Sequence, residues 1–272
     1  EKLLDLLGAE DIQRTGFTDY SLVTDKPYLS PGFVLPYSTA RGCWWRKCAF
    51  CPETAEGNPY LPLSPARDAE ELRTITEKTG PSLIHILDNS IAPLRLQAMA
   101  HQPPGAPWYG FARVTEHLTD EDFCRELKAT GCVMLKLGIE SGDQSVLDGL
   151  NKGIDLKTAS TALKAITGAG IATYCYFLFG TPQENEASAF KTLDFAVRHA
   201  GCIHFLNLAV FNLPAGSAEA QNLAISDFYE GDLSLYKNFQ HKGGWHRAHV
   251  RNFLQKKFKK HPAMTPILAR TP

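Results

Sequence analysis

The sequence predicts an α/β fold in which a parallel sheet is covered by helices. Three observations carry that reading: six short runs rich in β-branched and aromatic residues are spaced along residues 32–212, helical patterns lie between them, and those patterns stop at glycine before the next run. Strand followed by helix, six times over, places neighbouring strands parallel, because a parallel pair needs a crossover long enough to hold a helix.

The first run is "GFVLPY" at 32–37. The helix "SPARDAEELRTITEKTG" follows, with Ser64 as its cap, Pro65 in the first helical position and Gly80 as its stop. "SLIHIL" at 82–87 and "WYGFARV" at 108–114 are the second and third runs. "LTDEDFCRELKATG" then reads as a helix capped by Thr119, acidic in its first turn and closed by Gly131. The fourth run, "CVMLKLGIE" at 132–140, leads to "DLKTASTALKAITGAG"; the fifth, "IATYCYFLFG" at 171–180, leads to "ENEASAFKTLDFAVRHAG"; "CIHFLNLAVFN" at 202–212 is the sixth. After about residue 213 the alternation is lost. The chain therefore divides into a lead-in at 1–27, a core at 28–215 and a small, mainly helical, basic appendage at 216–272. Chemistry is expected at the carboxyl ends of the strands, where both barrels and open α/β sheets bind their ligands.

A chain of 272 residues that is 44% hydrophobic and 21% charged can bury a full core. It has no run of about 18 apolar residues and no basic-then-apolar leader, so no membrane span is expected and the cytoplasm is the default location. It begins at Glu1 rather than at methionine, which leaves room for native sequence upstream of the lead-in. The net charge of −1 hides an asymmetry: residues 241–272 hold eight Lys or Arg and no Asp or Glu. There "HVRNFLQKKFKKHP" sets Val250, Phe253, Leu254 and Phe258 at helical spacing with lysines opposite. A helix packed on the core with a solvated basic face is the favoured reading, and contact with nucleic acid is the alternative.

Seven cysteines, an odd number, do not make a secreted disulfide framework. Three of them, Cys43, Cys48 and Cys51, crowd into "TARGCWWRKCAFCPE" after the first strand, which in a reducing compartment points to metal or catalysis. Three thiolates on a 4Fe-4S cluster leave one iron free to bind a small molecule with its own oxygen and nitrogen donors. A structural zinc completed by His85 or another cysteine is the rival, and no second C-x2-C pair or H-x3-5-H accompanies the loop. Cys124, Cys132, Cys175 and Cys202 are dispersed and read as buried small hydrophobes.

From about residue 28 to 215 the chain resembles a radical S-adenosylmethionine (SAM) enzyme, and in particular the core of the methylthiotransferase and cobalamin-linked branch. The resemblance implies a partial (β/α)6 TIM-like barrel, a 4Fe-4S cluster on Cys43, Cys48 and Cys51, and SAM as cofactor. The cysteine spacing here is C-x4-C-x2-C, one residue longer than the usual C-x3-C-x2-C. By the same likeness Phe50 lies beside the adenine, and "LDNS" (Asp88, Asn89 and Ser90) stands where the SAM amino group is held, without the usual two glycines. "GIESGDQSVLDGLNKG" at 138–153 matches the fourth-strand segment, which would set Glu140 on the ribose and Lys152 on the SAM carboxylate. "FGTPQEN" at 179–185 matches the fifth-strand turn, with Gly180, Thr181 and Pro182 in backbone contact with the adenine. The implied chemistry is reductive cleavage of SAM to a 5′-deoxyadenosyl radical that abstracts hydrogen from a substrate.

Residues read simply as structure compete with several of these assignments. Asp88 and Asn89 suit a helix cap, and Lys152 a solvated turn. If Glu140 faces inward so do Gly138, Lys136 and Met134, since side chains two apart share a face. Lys136 is then a substrate-binding candidate, with an ion pair to Glu140 as the alternative. Arg113 at the end of the third strand is placed to hold a carboxylate or phosphate, or to make a surface salt bridge. Tyr176 is a hydrogen-atom donor, a substrate contact or core packing; His85 and His204 read as core histidines. The expected function is radical modification of an unidentified peptide or small molecule, with a flavodoxin or ferredoxin as electron donor. The alternatives are a cobalamin-dependent methyltransferase and a non-enzymatic iron-sulfur or zinc module binding a partner through its basic tail. Cobalamin is not supported by this chain, which carries no D-x-H-x-x-G motif.

Overall fold

A computed structural model describes residues 19–24, 26–27, 29–230 and 234–272, so most of the expected lead-in lies outside the described residues. Six strands form one sheet: β1 (Val34–Tyr37), β2 (Leu83–Ile91), β3 (Trp108–Ala112), β4 (Cys132–Glu140), β5 (Ala172–Phe179) and β6 (Phe205–Val210). They stand in sequence order, and every neighbouring pair is parallel. The fold is an α/β partial barrel of six parallel strands taken in sequence order.

Alternation along the strands sorts the side chains. Ile84 and Ile86 of β2, Leu135, Leu137 and Ile139 of β4, and Cys175, Phe177 and Phe179 of β5 are fully buried beneath the helices. Their alternates, His85, Tyr109, Phe111, Lys136, Tyr174 and Tyr176, are half-buried on the concave face. The register sets Tyr109 beside His85, Phe111 beside Lys136, and Tyr174 across from Lys136 on the other side. A register shift between Gly138 and Glu140 then re-aims the end of β4.

The helices are α1 (Pro65–Thr79), α2 (Pro93–His101), α3 (Glu121–Ala129), α4 (Leu156–Gly168) and α5 (Glu186–Arg198). Gly80 closes α1 in a left-handed conformation, φ 54°. The cap of α3 is Asp120, not Thr119: its carboxylate accepts from the Asp122 and Phe123 N–H groups at 2.8 and 3.2 Å, while Thr119 ends a preceding 3-10 turn. A carboxylate suits that position because it also meets the positive end of the helix dipole. Among the described residues no helix is long and apolar enough to cross a membrane.

The C-terminal region differs from the sequence expectation in two ways. It contains a three-stranded antiparallel sheet, built from Leu213–Pro214, Ile225–Asp227 and Tyr236–Phe239, before its helices begin. Its helical part is also no separate body. Helix α6 (Arg247–Phe253) and the π-turn Leu254–Phe258 bury Val250, Phe253, Leu254 and Phe258 in the same core as the sheet. Phe253 lies 6.1 Å and Phe258 5.6 Å from the Phe179 ring, so this segment occupies the place of a sixth helix. Lys256, Lys257, Lys259 and Lys260 form its exposed face. Beyond α7 (Thr265–Arg270), the Leu206 N–H donates to Thr271 Oγ1 at 3.1 Å, and Arg270 donates to the His204 and Ile203 carbonyls.

Candidate functional site

The cysteine loop is fastened at its neck and at three points along its length. Ala40–Arg41 and Leu61–Pro62 pair as two antiparallel rungs, closing a loop that contains Cys43, Cys48 and Cys51. Gly42 adopts φ +72° there, and a Cβ on it would sit 2.3 Å from the Pro59 carbonyl, so only glycine fits. Asp88, buried at the end of β2, accepts from the Thr39 N–H at 2.7 Å, the Thr39 hydroxyl at 2.5 Å and the Ala40 N–H at 3.3 Å. The Trp44 indole donates to Ser90 Oγ at 3.2 Å, and the Trp45 indole to the Asn151 carbonyl at 3.1 Å. Ala49 N–H donates to the Leu150 carbonyl at 3.0 Å. Asp88 and Ser90 thus hold the loop, and neither caps α2, whose N-cap is Ala92. Asn89 is exposed and lines an open cavity of about 540 Å³ shared with Ser38, Gly42 and Leu87.

At the end of β4, Glu140 has φ +64°, a left-handed conformation that costs a non-glycine residue about 1–2 kcal/mol. That turn brings Glu140 Oε1 within 2.8 Å of Lys152 Nζ, with both side chains about nine-tenths buried. Lys152 also lies 5.5 Å from the centre of the Phe50 ring. Gly138 makes room for the pair: a Cβ there would stand 2.4 Å from Glu140 Oε1 and 2.8 Å from Lys152 Nζ. The ion pair of Glu140 is therefore with Lys152 and not with Lys136, and Lys152 is no solvated turn residue.

Arg113 follows β3 and turns into the site, buried, its guanidinium 3.9 Å from the Trp45 ring centre. Among the described residues its Nη2 has no hydrogen-bond partner and no carboxylate pairs with it. Burial lowers its pKa, and the neighbouring Cys48 and Cys43 thiols oppose that shift. Burial raises the Cys48 thiol, while Lys152 and Arg113 pull it back down. Cys51 is likewise raised by burial, against the Glu53 and Thr54 N–H groups.

Gly180, φ +82°, starts the turn after β5, and its N–H donates to the carboxylate of Glu184. Trp245 Nε1 donates to the same oxygen at 2.8 Å, tying the turn to the C-terminal region. Burial pushes the Glu184 carboxyl up to about 7. Thr181 is fully buried; its carbonyl lies 3.1 Å from His241 Nε2 and its hydroxyl has no partner. Pro182 borders a second opening between the cysteine loop and the segment around Glu219. Phe50 packs, with Leu178, Leu223 and Phe239, against the small buried cluster of Phe211, Leu213 and Ala220, so the segment after β6 walls one side of the mouth.

Residues 37–196, more than half of the chain, match the family model of the Radical SAM superfamily. The chain belongs to the radical SAM superfamily. Among curated proteins it is similar to an uncharacterized methyltransferase of Pyrococcus horikoshii, 24% identical over 197 residues that cover 69% of this chain and 42% of that protein. It is also similar to the anaerobic magnesium-protoporphyrin IX monomethyl ester cyclase of Rubrivivax gelatinosus, 23% identical over 58% of this chain and 29% of the relative. The chain thus spans less than half the length of these curated relatives. Among solved structures it resembles the radical SAM methyltransferase TsrM from Kitasatospora setae, with a TM-score of 0.61 and 18% identity over 75% of this chain and 44% of that one.

Membership of the radical SAM superfamily implies a 4Fe-4S cluster and SAM. Among the described residues no three His, Cys, Asp or Glu side chains stand close enough together to hold a metal ion. Among the described residues, the fourth ligands that the zinc alternative called on lie elsewhere: His85 faces Lys136, Cys124, Cys132 and Cys175 are buried in the hydrophobic core, and Cys202 sits in a 3-10 turn packed against it. What the loop offers is three soft thiols beside two cations, one with a buried, unpartnered N–H. That donor set fits a thiolate-bound, electron-accepting cluster with one coordination position left open.

Several supporting residues were not singled out from the sequence. The Trp44–Trp45 pair inside the cysteine loop was visible as an oddity, since paired tryptophans in a short polar loop need partners. Thr39, Asn151 and Leu150 act through backbone or hydroxyl groups and carry no sequence signal. Glu184 follows Gly180 by four residues, but its partner Trp245 is 61 residues further on.

Proposed function

We propose that the protein reductively cleaves SAM at a 4Fe-4S cluster held by Cys43, Cys48 and Cys51, and so starts the radical modification of a peptide or small molecule. The observation that carries this reading is that the three-cysteine loop is hydrogen-bonded directly to the segment bearing the Glu140–Lys152 pair, through Asn151 and Leu150. When bound, the cluster supplies the electron that breaks the sulfonium of SAM and leaves a 5′-deoxyadenosyl radical able to take hydrogen from a substrate.

The chain's own residues bind and orient. Lys152 has three ammonium donors, of which Glu140 occupies one, leaving others for the SAM carboxylate. Glu140, fixed by that pair, is the ribose contact. Phe50 offers a flat apolar face to the adenine, beside the turn of Gly180, Thr181 and Pro182. Within 88–90, Asn89 is the side chain open to the SAM amino group, while Asp88 and Ser90 act by holding the cysteine loop. Arg113 adds fixed positive charge beside Cys48, which favours a reduced, more negative cluster. An electron donor of the flavodoxin or ferredoxin class completes the reaction.

Methyl transfer is a second reading, favoured by the methyltransferase of Pyrococcus horikoshii among its relatives. The TsrM structure holds cobalamin as well as a 4Fe-4S cluster, and the chain covers 44% of it. A methylated product formed only with cobalamin present would select that reading. The test of the main proposal is anaerobic reconstitution with iron and sulfide, incubation with SAM and dithionite, and chromatography for 5′-deoxyadenosine. Wild type is expected to form it and Cys48→Ala is not. A 4Fe-4S spectrum without 5′-deoxyadenosine, or zinc without iron, would overturn the proposal.

A further inference from the structure

The concave face of the sheet carries a charge that the cofactor site leaves unused. Lys136 lies on β4 two residues before Gly138, flanked by Phe111 and Tyr174 in register. Its Nζ is 5.0 Å from the ring centres of both Tyr109 and Phe111 and 3.4 Å from His85 Nε2. The carboxylate that sequence offers as its partner, Glu140, is taken by Lys152. Burial and the Lys136 charge push His85 down to about 4, so at neutral pH the imidazole is uncharged and accepts from the ammonium. Among the described residues no carboxylate forms an ion pair with Lys136, whose pKa burial lowers.

The walls around that cation are flat and apolar. His85 stacks on Tyr109 with ring centres 4.3 Å apart and planes within 8°. Phe111 and Tyr176 lie 4.9 Å apart, as do Tyr176 and Tyr174. All five rings are half-buried, with surface left open to the hollow. Cation–π contacts of this kind offset only part of the hydration a partly buried ammonium loses.

We infer that this hollow is the substrate's binding site, and that its ligand is a small molecule with an anionic group held by Lys136 and a flat apolar body laid on Tyr109, Phe111 and Tyr176. The fate of that ligand rests on the radical reading; its binding does not. Gly138 lies between Lys136 and Glu140 on β4, and a Cβ there would strike the Glu140–Lys152 pair.

Isothermal titration of the full chain with 2-naphthoate and with the neutral 2-naphthalenemethanol tests the site, with a readout that needs neither cluster nor SAM turnover. Wild type is expected to bind the acid at least tenfold more tightly than the alcohol. Lys136→Met is expected to bind both alike, and Lys136→Arg to restore most of the preference. Equal binding of acid and alcohol by wild type, no binding of the acid, or a Lys136→Met protein that keeps the preference would each overturn the inference. Failure to form 5′-deoxyadenosine would sink the radical reading and leave these titrations unaffected.

Discussion

Breaking the Glu140–Lys152 pair from one side should cost far more than removing it whole. At 2.8 Å the charges attract by about 6 kcal/mol with an effective dielectric of 20. Desolvation of two side chains about nine-tenths buried consumes much of that, so the net value of the pair is small. Lys152→Met leaves the Glu140 carboxylate buried and unpaired, at a cost of about 3–5 kcal/mol, and Glu140→Gln strands the ammonium similarly. For a protein of this size each kcal/mol moves the midpoint by about 2–4 °C, so each single variant should melt at least about 6 °C lower. The double variant should lose only about 1 kcal/mol, giving a coupling energy of several kcal/mol in the cycle. The assay is urea unfolding with thermal melts as a check. Single variants within about 1 kcal/mol of wild type, or additive losses in the double variant, would refute the reasoning, because the pair would then be a solvated contact.

Two further predictions concern the loop and the turn. Gly42→Ala forces a Cβ against the Pro59 carbonyl at φ +72°, so it should open the loop neck and lower the iron bound per chain after reconstitution; unchanged iron content would show that the neck does not shape the loop. Glu184 has its carboxyl raised from 4.5 to about 7, so the folded state binds a proton that the unfolded chain has lost between those values. The stability this gives is complete below about pH 4.5 and fades as pH rises through 7, by on the order of 3 kcal/mol. His85, lowered to about 4, acts in the opposite sense, its stability present above 6.5 and lost as pH falls. The difference between wild type and Glu184→Gln isolates the first effect: wild type should lose stability relative to the variant from pH 5 to 8, and a flat difference would contradict the burial.

The sheet was legible because each strand combined apolar runs with a helix that stopped on glycine, and local signals of that kind survive without tertiary context. The Asp120 cap was missed by one residue, since "LTDEDF" offers two capping side chains in succession and only the helix start decides between them. The C-terminal region was read correctly in its helical periodicity and incompletely in its surroundings. Val250, Phe253, Leu254 and Phe258 announced a buried stripe, but nothing local revealed that Phe177 and Phe179 would receive it, or that residues 213–239 would form a sheet first. The site was legible in its members and not in its pairings. Lys152 and Glu140 stand 12 residues apart, so their contact depends on the left-handed turn at Glu140. Asp88 looked like a helix cap because its partners, Thr39 and Ala40, lie almost 50 residues upstream.

An incomplete barrel has a problem that a closed one avoids: its last strand presents raw backbone to whatever protein comes near. Here Thr271 Oγ1 accepts from the Leu206 N–H and Arg270 donates to the carbonyls of His204 and Ile203, so two side chains occupy backbone groups at the start of that edge. The segment that carries them is anchored by Met264 and Ile267 in the core. Covered at its start, that edge offers a second molecule a shorter run of free backbone to pair with than the bare strand would.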